Sequence, residues 1–234
     1  MVTKKNLQAV LPILIYLLAL APRLFQLSQT AVYPDEITWM VKGKETVYAL
    51  VHGNLNYFKT AWWNSRTDTH AIGLPLVFLN GLFHVVFAGT GRYSLHLFSD
   101  IIASRLPVVF IGSLTPVLIF LFARRSLNIS IAFIAAVSYA LSPIAIALDR
   151  WVLHDSFLTL FSFLAVTSYL STYKLKKFSF LPGIWLALAF LTKPHGLIPL
   201  VSWLTLLFLD RSAQSTRLFV RNLISFLAAV LLLW

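Results

Sequence analysis

Four groups of polar residues in this chain have the types and spacing to do chemistry. Tyr33-Pro34-Asp35-Glu36 sets two carboxylates side by side where a loop turns into a helix. Acids in a first turn suit the helix dipole, and Asp is a common cap. The same placement gives a carboxylate that can serve as general base on an incoming nucleophile. Asp149-Arg150-Trp151-Val152-Leu153-His154-Asp155 packs four ionisable groups into seven residues; the plain alternative is a hydrated turn with an Asp/Arg pair, Asp155 capping the next helix. Lys193 and His195 flank Pro194 inside an apolar stretch. A lysine there either snorkels to water or, in a wet low-dielectric notch, binds a phosphate. Arg23 and Arg105 stand at the ends of apolar runs, where an arginine often anchors a helix at the headgroups. His70, His154 and His195 share no metal-ligand spacing, so no cofactor is indicated and a divalent cation is left open. His52, His84 and His96 read as structural.

The elements that carry these groups are set by composition. Of 234 residues 59% are hydrophobic and 12% charged, against roughly 25% charged in an ordinary globular domain. Residues 6–22, 69–91, 106–123, 126–148, 156–173, 178–192, 194–209 and 222–234 hold no Asp, Glu, Lys or Arg. Several of these runs approach the ~20 residues that cross a bilayer. The composition excludes a soluble enzyme, a disordered tail and, without cysteine, a disulfide scaffold. The net charge of +11 forms no stripe, cradle or zinc set, so no nucleic-acid partner is expected. The fold class is an all-α integral membrane bundle of about seven spans, near 7–26, 104–123, 129–148, 153–173, 179–192, 196–210 and 218–234, the fifth and sixth short. Lys193-Pro194-His195-Gly196 splits residues 178–209 midway into a hairpin of two short helices.

Alternating loops put Lys4, Lys5, Arg124, Arg125, Lys174, Lys176, Lys177, Arg211, Arg217 and Arg221 on one side, with Asp210 as its only acid. That excess of bases predicts a cytoplasmic face and a cytoplasmic N-terminus. All four chemical clusters then face the extracytoplasmic side of a multi-pass cell-membrane protein. Residues 27–103 form the large outer loop. Within it, 34–53 reads as an amphipathic helix with Ile37, Met40, Val41, Val47, Tyr48 and Val51 on one face. Tyr57, Phe58, Trp62 and Trp63 read as an interfacial anchor, and 74–88 as a juxtamembrane or tilted helix. An apolar run reaching Trp234 without closing charge suggests that residues 1–234 are the N-terminal transmembrane module of a longer protein.

The order of these features resembles the GT-C membrane glycosyltransferases, most of all the protein O-mannosyltransferase and aminoarabinose transferase group. A first span ends in Arg23, and the outer loop opens with Asp35-Glu36 before a helix. Arg105-Leu106-Pro107, then Ser142-Pro143 with Asp149-Arg150 and Asp155-Ser156-Phe157-Leu158, then Leu188-Ala189-Phe190-Leu191-Thr192-Lys193, follow in family order. One departure is Asp68-Thr69-His70-Ala71-Ile72-Gly73-Leu74-Pro75, where the family carries His-Pro-Pro or Lys-Pro-Pro. The resemblance implies transfer of a sugar from a polyprenyl-phosphate-linked donor to an acceptor hydroxyl, with inversion. It implies Asp35, Glu36 and Asp155 as catalytic carboxylates and Lys193, Arg150, Arg23 and Arg105 as cations for the donor phosphate. His154, His195 and His70 would line the acceptor side. The partners are a lipid-linked sugar and membrane lipid, with the acceptor open. Two other classes fit parts of the sequence: a transporter or flippase, whose sites favour broken helices, and a non-catalytic membrane subunit. Charges gathered at one face and a long outer loop favour chemistry at that face.

Overall fold

A computed structural model describes residues 4–54, 56, 74–88, 98–175, 179–210 and 212–233. Those residues are helical with short connections, and none is in a strand. Tyr57, Phe58, Trp62, Trp63, His70 and His96 lie outside the described residues.

The chain divides into two compact units, the first comprising Met1–Asp68 with Leu76–Ser156 and the second Thr69–Pro75 with Phe157–Trp234. The first unit contains α1 (Lys4–Leu24), α2 (Pro34–Val51), most of α3 (Leu74–Ala88), α4 (Phe98–Ser126), α5 (Ile129–Ala140) and α6 (Pro143–Leu148). Helices α1, α4 and α5 pack on one another around Ile15, Phe120, Ala132 and Ala136. α2 and α3 cross closely: a Cβ on Gly81 would overlap the Gly43 carbonyl, so only glycine permits the approach. Asn80 Nδ2 donates to the Ser104 carbonyl at 3.2 Å, and His84 pairs with Asp100 at 2.8 Å, which ties α3 to α4.

The second unit holds α7 (Asp155–Leu175) from Phe157 on, α8 (Leu181–Thr192), a 3₁₀ turn (Pro194–Leu197), α9 (Ile198–Leu209) and α10 (Ala213–Leu233). Its core joins Ala165, Tyr169, Leu186, Ala187, Trp203 and Phe226, with the Tyr169 and Trp203 rings stacked at 4.6 Å. Gly183 lets α8 approach the α10 backbone at Asn222 and Phe226.

Among the described residues, three helical stretches are long and apolar enough to cross a bilayer: Asp100–Ser126, Asp155–Leu175 and Gln214–Leu232. Ala9–Leu24, Pro75–Phe87, Ile129–Ala140, Leu181–Thr192 and Pro194–Leu209 are shorter apolar helices. The protein is an all-helical membrane bundle.

Two local features differ from the sequence reading. The expected span 129–148 is two helices. Proline disfavours helical geometry in the residue before it, and Ser142 before Pro143 is extended (φ −61°, ψ 121°) and caps α6. The same rule shapes the expected break at Lys193, extended before Pro194 (φ −158°, ψ 146°). On α2, Met40 and Val47 are buried as expected, but Ile37, Tyr48 and Val51 are exposed. The protein-facing side instead carries Glu36, Trp39, Lys42, Gly43 and Thr46. Apolar periodicity finds an amphipathic helix, but in a membrane protein the apolar side can face lipid and the polar side protein.

Candidate active site

The polar groups of the first unit gather where the α1–α2 connection, the start of α2, α4 and the segment after α6 meet. Pro34 occupies the first turn of α2, where its missing N–H costs nothing. Glu36 reaches back to accept from the Tyr33 N–H at 2.8 Å, the carboxylate half of a capping box.

Glu36 is fully buried and so is Arg105, each with 0% exposure. Arg105 Nε donates to Glu36 Oε1 at 2.9 Å and Nη2 to Oε2 at 2.8 Å, a two-pronged pair. The remaining Arg105 donors go to backbone carbonyls: Leu27 at 2.6 Å, Thr30 at 3.0 Å and Ala31 at 3.2 Å. Glu36 Oε1 also accepts from the Val152 N–H at 2.8 Å. Five guanidinium bonds and four carboxylate bonds use the full capacity of both groups. A buried ion pair repays its desolvation only when so completely bonded.

Arg23 makes a second centre. Its Nε donates to Asp149 Oδ2 at 2.8 Å, and Nη1 to the Ala19 and Ala140 carbonyls at 2.8 and 2.9 Å. The Ala140 carbonyl lies at the α5–α6 break, so the arginine satisfies an acceptor next to the interruption. Ser156 Oγ donates to Asp149 Oδ1. Gly112 of α4 leaves the space, since a Cβ there would overlap the Asp149 carboxylate. Burial pushes the Asp149 carboxyl above its ordinary value, while Ser156 and Arg23 pull it down.

Arg150 is half-buried and donates through Nη2 to the Phe25 and Gln26 carbonyls at 2.8 and 3.0 Å. Burial lowers its pKa first, and nearby Arg105 adds to that. Trp151 Nε1 donates to the Ala31 carbonyl at 3.3 Å, and its ring lies 5.6 Å from that of Tyr33. His154 is buried edge-on against Trp39 at 4.0 Å. Asp155 is half-buried at the start of α7.

Asp35 is different in kind. It sits in the first turn of α2, is exposed, and takes no hydrogen bond or ion pair from the described residues. Its neighbour Glu36 is buried and fully hydrogen-bonded, while the Asp35 side chain is exposed. In the second unit, Lys193 is half-buried and His195 exposed on the interrupted hairpin. Gly196 folds the turn onto the Ala189 backbone with no room for a Cβ. Among the described residues, no three or more His, Cys, Asp or Glu side chains form a group that could hold a metal ion.

Arg105–Glu36 and Arg23–Asp149 are thus brought into two buried pairs within one unit. The sequence reading named three of these four residues, and included Asp149 only in its cluster. It assigned no part to Ser156, Gly112 or the Val152 N–H. Gly112 inside an apolar helix was the available signal; the backbone donor left none.

The dolichyl-phosphate-mannose-protein mannosyltransferase family matches residues 90–234, more than half of the chain. No curated protein and no solved structure matches it. The matched stretch includes Arg105, the Asp149–Asp155 segment and the Lys193 hairpin, on a helical membrane bundle. The chain belongs to this family of GT-C-type membrane glycosyltransferases.

Proposed function

We propose that the protein transfers a sugar from a polyprenyl-phosphate-linked donor to an acceptor hydroxyl at the extracytoplasmic face, inverting the anomeric centre. Asp35 is the base. The acceptor oxygen attacks the anomeric carbon, its proton passes to Asp35, and the bond from that carbon to the phosphate oxygen breaks. The observation that carries this reading is the exposed Asp35 carboxylate, which takes no hydrogen bond from the described residues, beside the buried and fully bonded Glu36. An exposed carboxylate has lone pairs open to a substrate proton; one whose lone pairs are filled by an arginine and two backbone donors has none to offer.

Phosphate leaves as an anion and needs cationic stabilisation more than a proton. The family resemblance gives this role to Lys193 and to Arg150, each half-buried within its own unit. Asp155 and His154 belong to the same polar segment as Arg150; the family resemblance makes Asp155 a further catalytic carboxylate and gives His154, His195 and His70 the acceptor side. Glu36, Arg105 and Arg23 act as positioning residues, holding the start of α2 and the segment after α6 in place. In this reading residues 1–234 form a membrane module whose N-terminus is cytoplasmic and whose 27–103 loop is outside.

Transfer of radiolabel from a polyprenyl-phosphate-linked sugar, measured in reconstituted membranes, tests the proposal. The expected product carries inverted anomeric configuration, and Lys193→Met, which keeps the apolar stem, lowers donor use. Failure to use any lipid-linked donor, or retention of configuration, would overturn it.

A further inference from the structure

We propose that the second unit binds one phosphate-headgroup lipid where α7, α9 and α10 come together, at the end of α9 away from Lys193. α9 runs Ile198–Leu209, twelve residues or about 18 Å. The site is therefore separate from the donor-phosphate role given to Lys193, and stands without that reading.

A cavity of about 590 Å³ lies there, of the size that small-molecule sites occupy. Lys174 from the last turn of α7 and Arg217 and Arg221 from the first turns of α10 line it, together with Thr172, Gln214 and Ser215. Among the described residues that line it, Asp210 is the one acid. Its carboxylate already accepts from Tyr173 Oη at 2.6 Å, Ser212 N at 3.1 Å and Ser212 Oγ at 3.2 Å. Three cations against one engaged carboxylate leave the cavity positive. The N-terminal end of α10 adds its dipole in the same sense.

An independent observation points to a ligand. Ser215 is 1% exposed and lines the cavity, and its Oγ has no hydrogen-bond partner among the described residues. A buried hydroxyl without a partner is costly and uncommon, and a phosphate oxygen would accept from it.

The ligand also has a tail. Thr216, next along α10, lines a second groove of about 670 Å³ with Val201, Leu204, Leu207 and Phe208. Phe208 is 69% exposed and Leu209 74%. A positive, hydroxyl-lined cavity and an apolar groove, lined by the successive α10 residues Ser215 and Thr216, fit a phosphate headgroup and its aliphatic chain, whereas a soluble phosphate would leave the groove bare. Basic pockets between membrane helices are suited to such headgroups.

Native mass spectrometry of the whole protein, released from mixed phosphatidylglycerol and phosphatidylcholine micelles, tests this. Wild type should retain one phosphatidylglycerol in preference to phosphatidylcholine. Lys174 and Arg217 are exposed side chains, so Lys174→Gln with Arg217→Gln should leave the melting temperature unchanged. Retention should fall roughly thirty-fold, from about 1 kcal/mol per base removed. Phe208→Ser should weaken retention with the bases intact. Equal retention of both lipids by wild type, or unchanged retention in the double variant, would overturn the proposal. Glycerol 3-phosphate binding as tightly as the lipid would overturn the lipid assignment in favour of a soluble phosphate.

Discussion

Asp35 and Glu36 are neighbours in sequence and opposites in environment. The Glu36 carboxylate is buried, with two hydrogen bonds from Arg105 and one each from the Tyr33 and Val152 N–H groups. The Asp35 carboxylate, one helical step away, is exposed and receives none from the described residues. A helix start presents successive side chains about 100° apart, so one acid turned inward leaves the next turned out. The inward acid fixes the backbone that carries the outward one.

Glu36→Gln should therefore cost stability. It leaves Arg105 buried without its charge partner, a loss of about 3–5 kcal/mol. Adding Arg105→Leu should lower stability by less than Arg105→Leu does alone, because the two residues share one set of bonds. Thermal unfolding of the four proteins in detergent measures this coupling. Strictly additive losses would mean that the pair holds nothing in common.

Gly112→Ala should disturb Arg23–Asp149 from the α4 side. The new Cβ would overlap the Asp149 carboxylate, which is tied to Arg23 and Ser156 and has nowhere easy to go. Overpacking of this kind costs about 1–3 kcal/mol. A melting temperature equal to wild type would show that the carboxylate moves freely.

The sequence already carried the membrane class, the helix at 34–53, the short helix at 74–88 and the interruption at Lys193. Each rests on a local signal: charge-free length, period, or Pro beside Gly. The break at Ser142-Pro143 carried the same proline signal but was hidden inside a run long enough to span. Which acid of Asp35-Glu36 turns inward was not legible. That depends on Arg105, 69 residues further along, and on the Val152 N–H. Likewise, period alone did not show which side of α2 is buried, because an exposed apolar side carries the same pattern as a core-facing one.

Lys42 lies on that buried side, 4% exposed, with Nζ 5.5 Å from the centre of the Trp39 ring. Burial holds its ammonium below the ordinary lysine value of 10.5. Between the lowered value and 10.5 the unfolded chain binds more protons than the folded one, so stability rises with pH through that window. Lys42→Met should remove this rise. Melting temperatures taken from neutral to alkaline pH report it, and an unchanged slope in the variant would contradict the assignment.

The sidedness proposed above rests on ten bases against one acid at the assigned inner ends. The chain has no cysteine, so a single introduced thiol reports its own position. Asn54→Cys, at an exposed position after α2, should react with an impermeant reagent on intact cells. Ser212→Cys, exposed between α9 and α10, should react only after permeabilisation. The reverse pattern would invert the topology.

The role of Asp35 as base is tested most directly by the turnover of Asp35→Asn in the lipid-linked sugar transfer assay, measured beside its melting temperature. Asn caps a helix about as well as Asp, so the fold should lose no more than a few tenths of a kcal/mol. Loss of a general base should lower turnover roughly 10²–10⁴-fold. A protein that melts like wild type and transfers sugar that slowly is the predicted result. Near-wild-type turnover from the same folded variant would contradict the account, leaving Asp35 an exposed residue of a helix start.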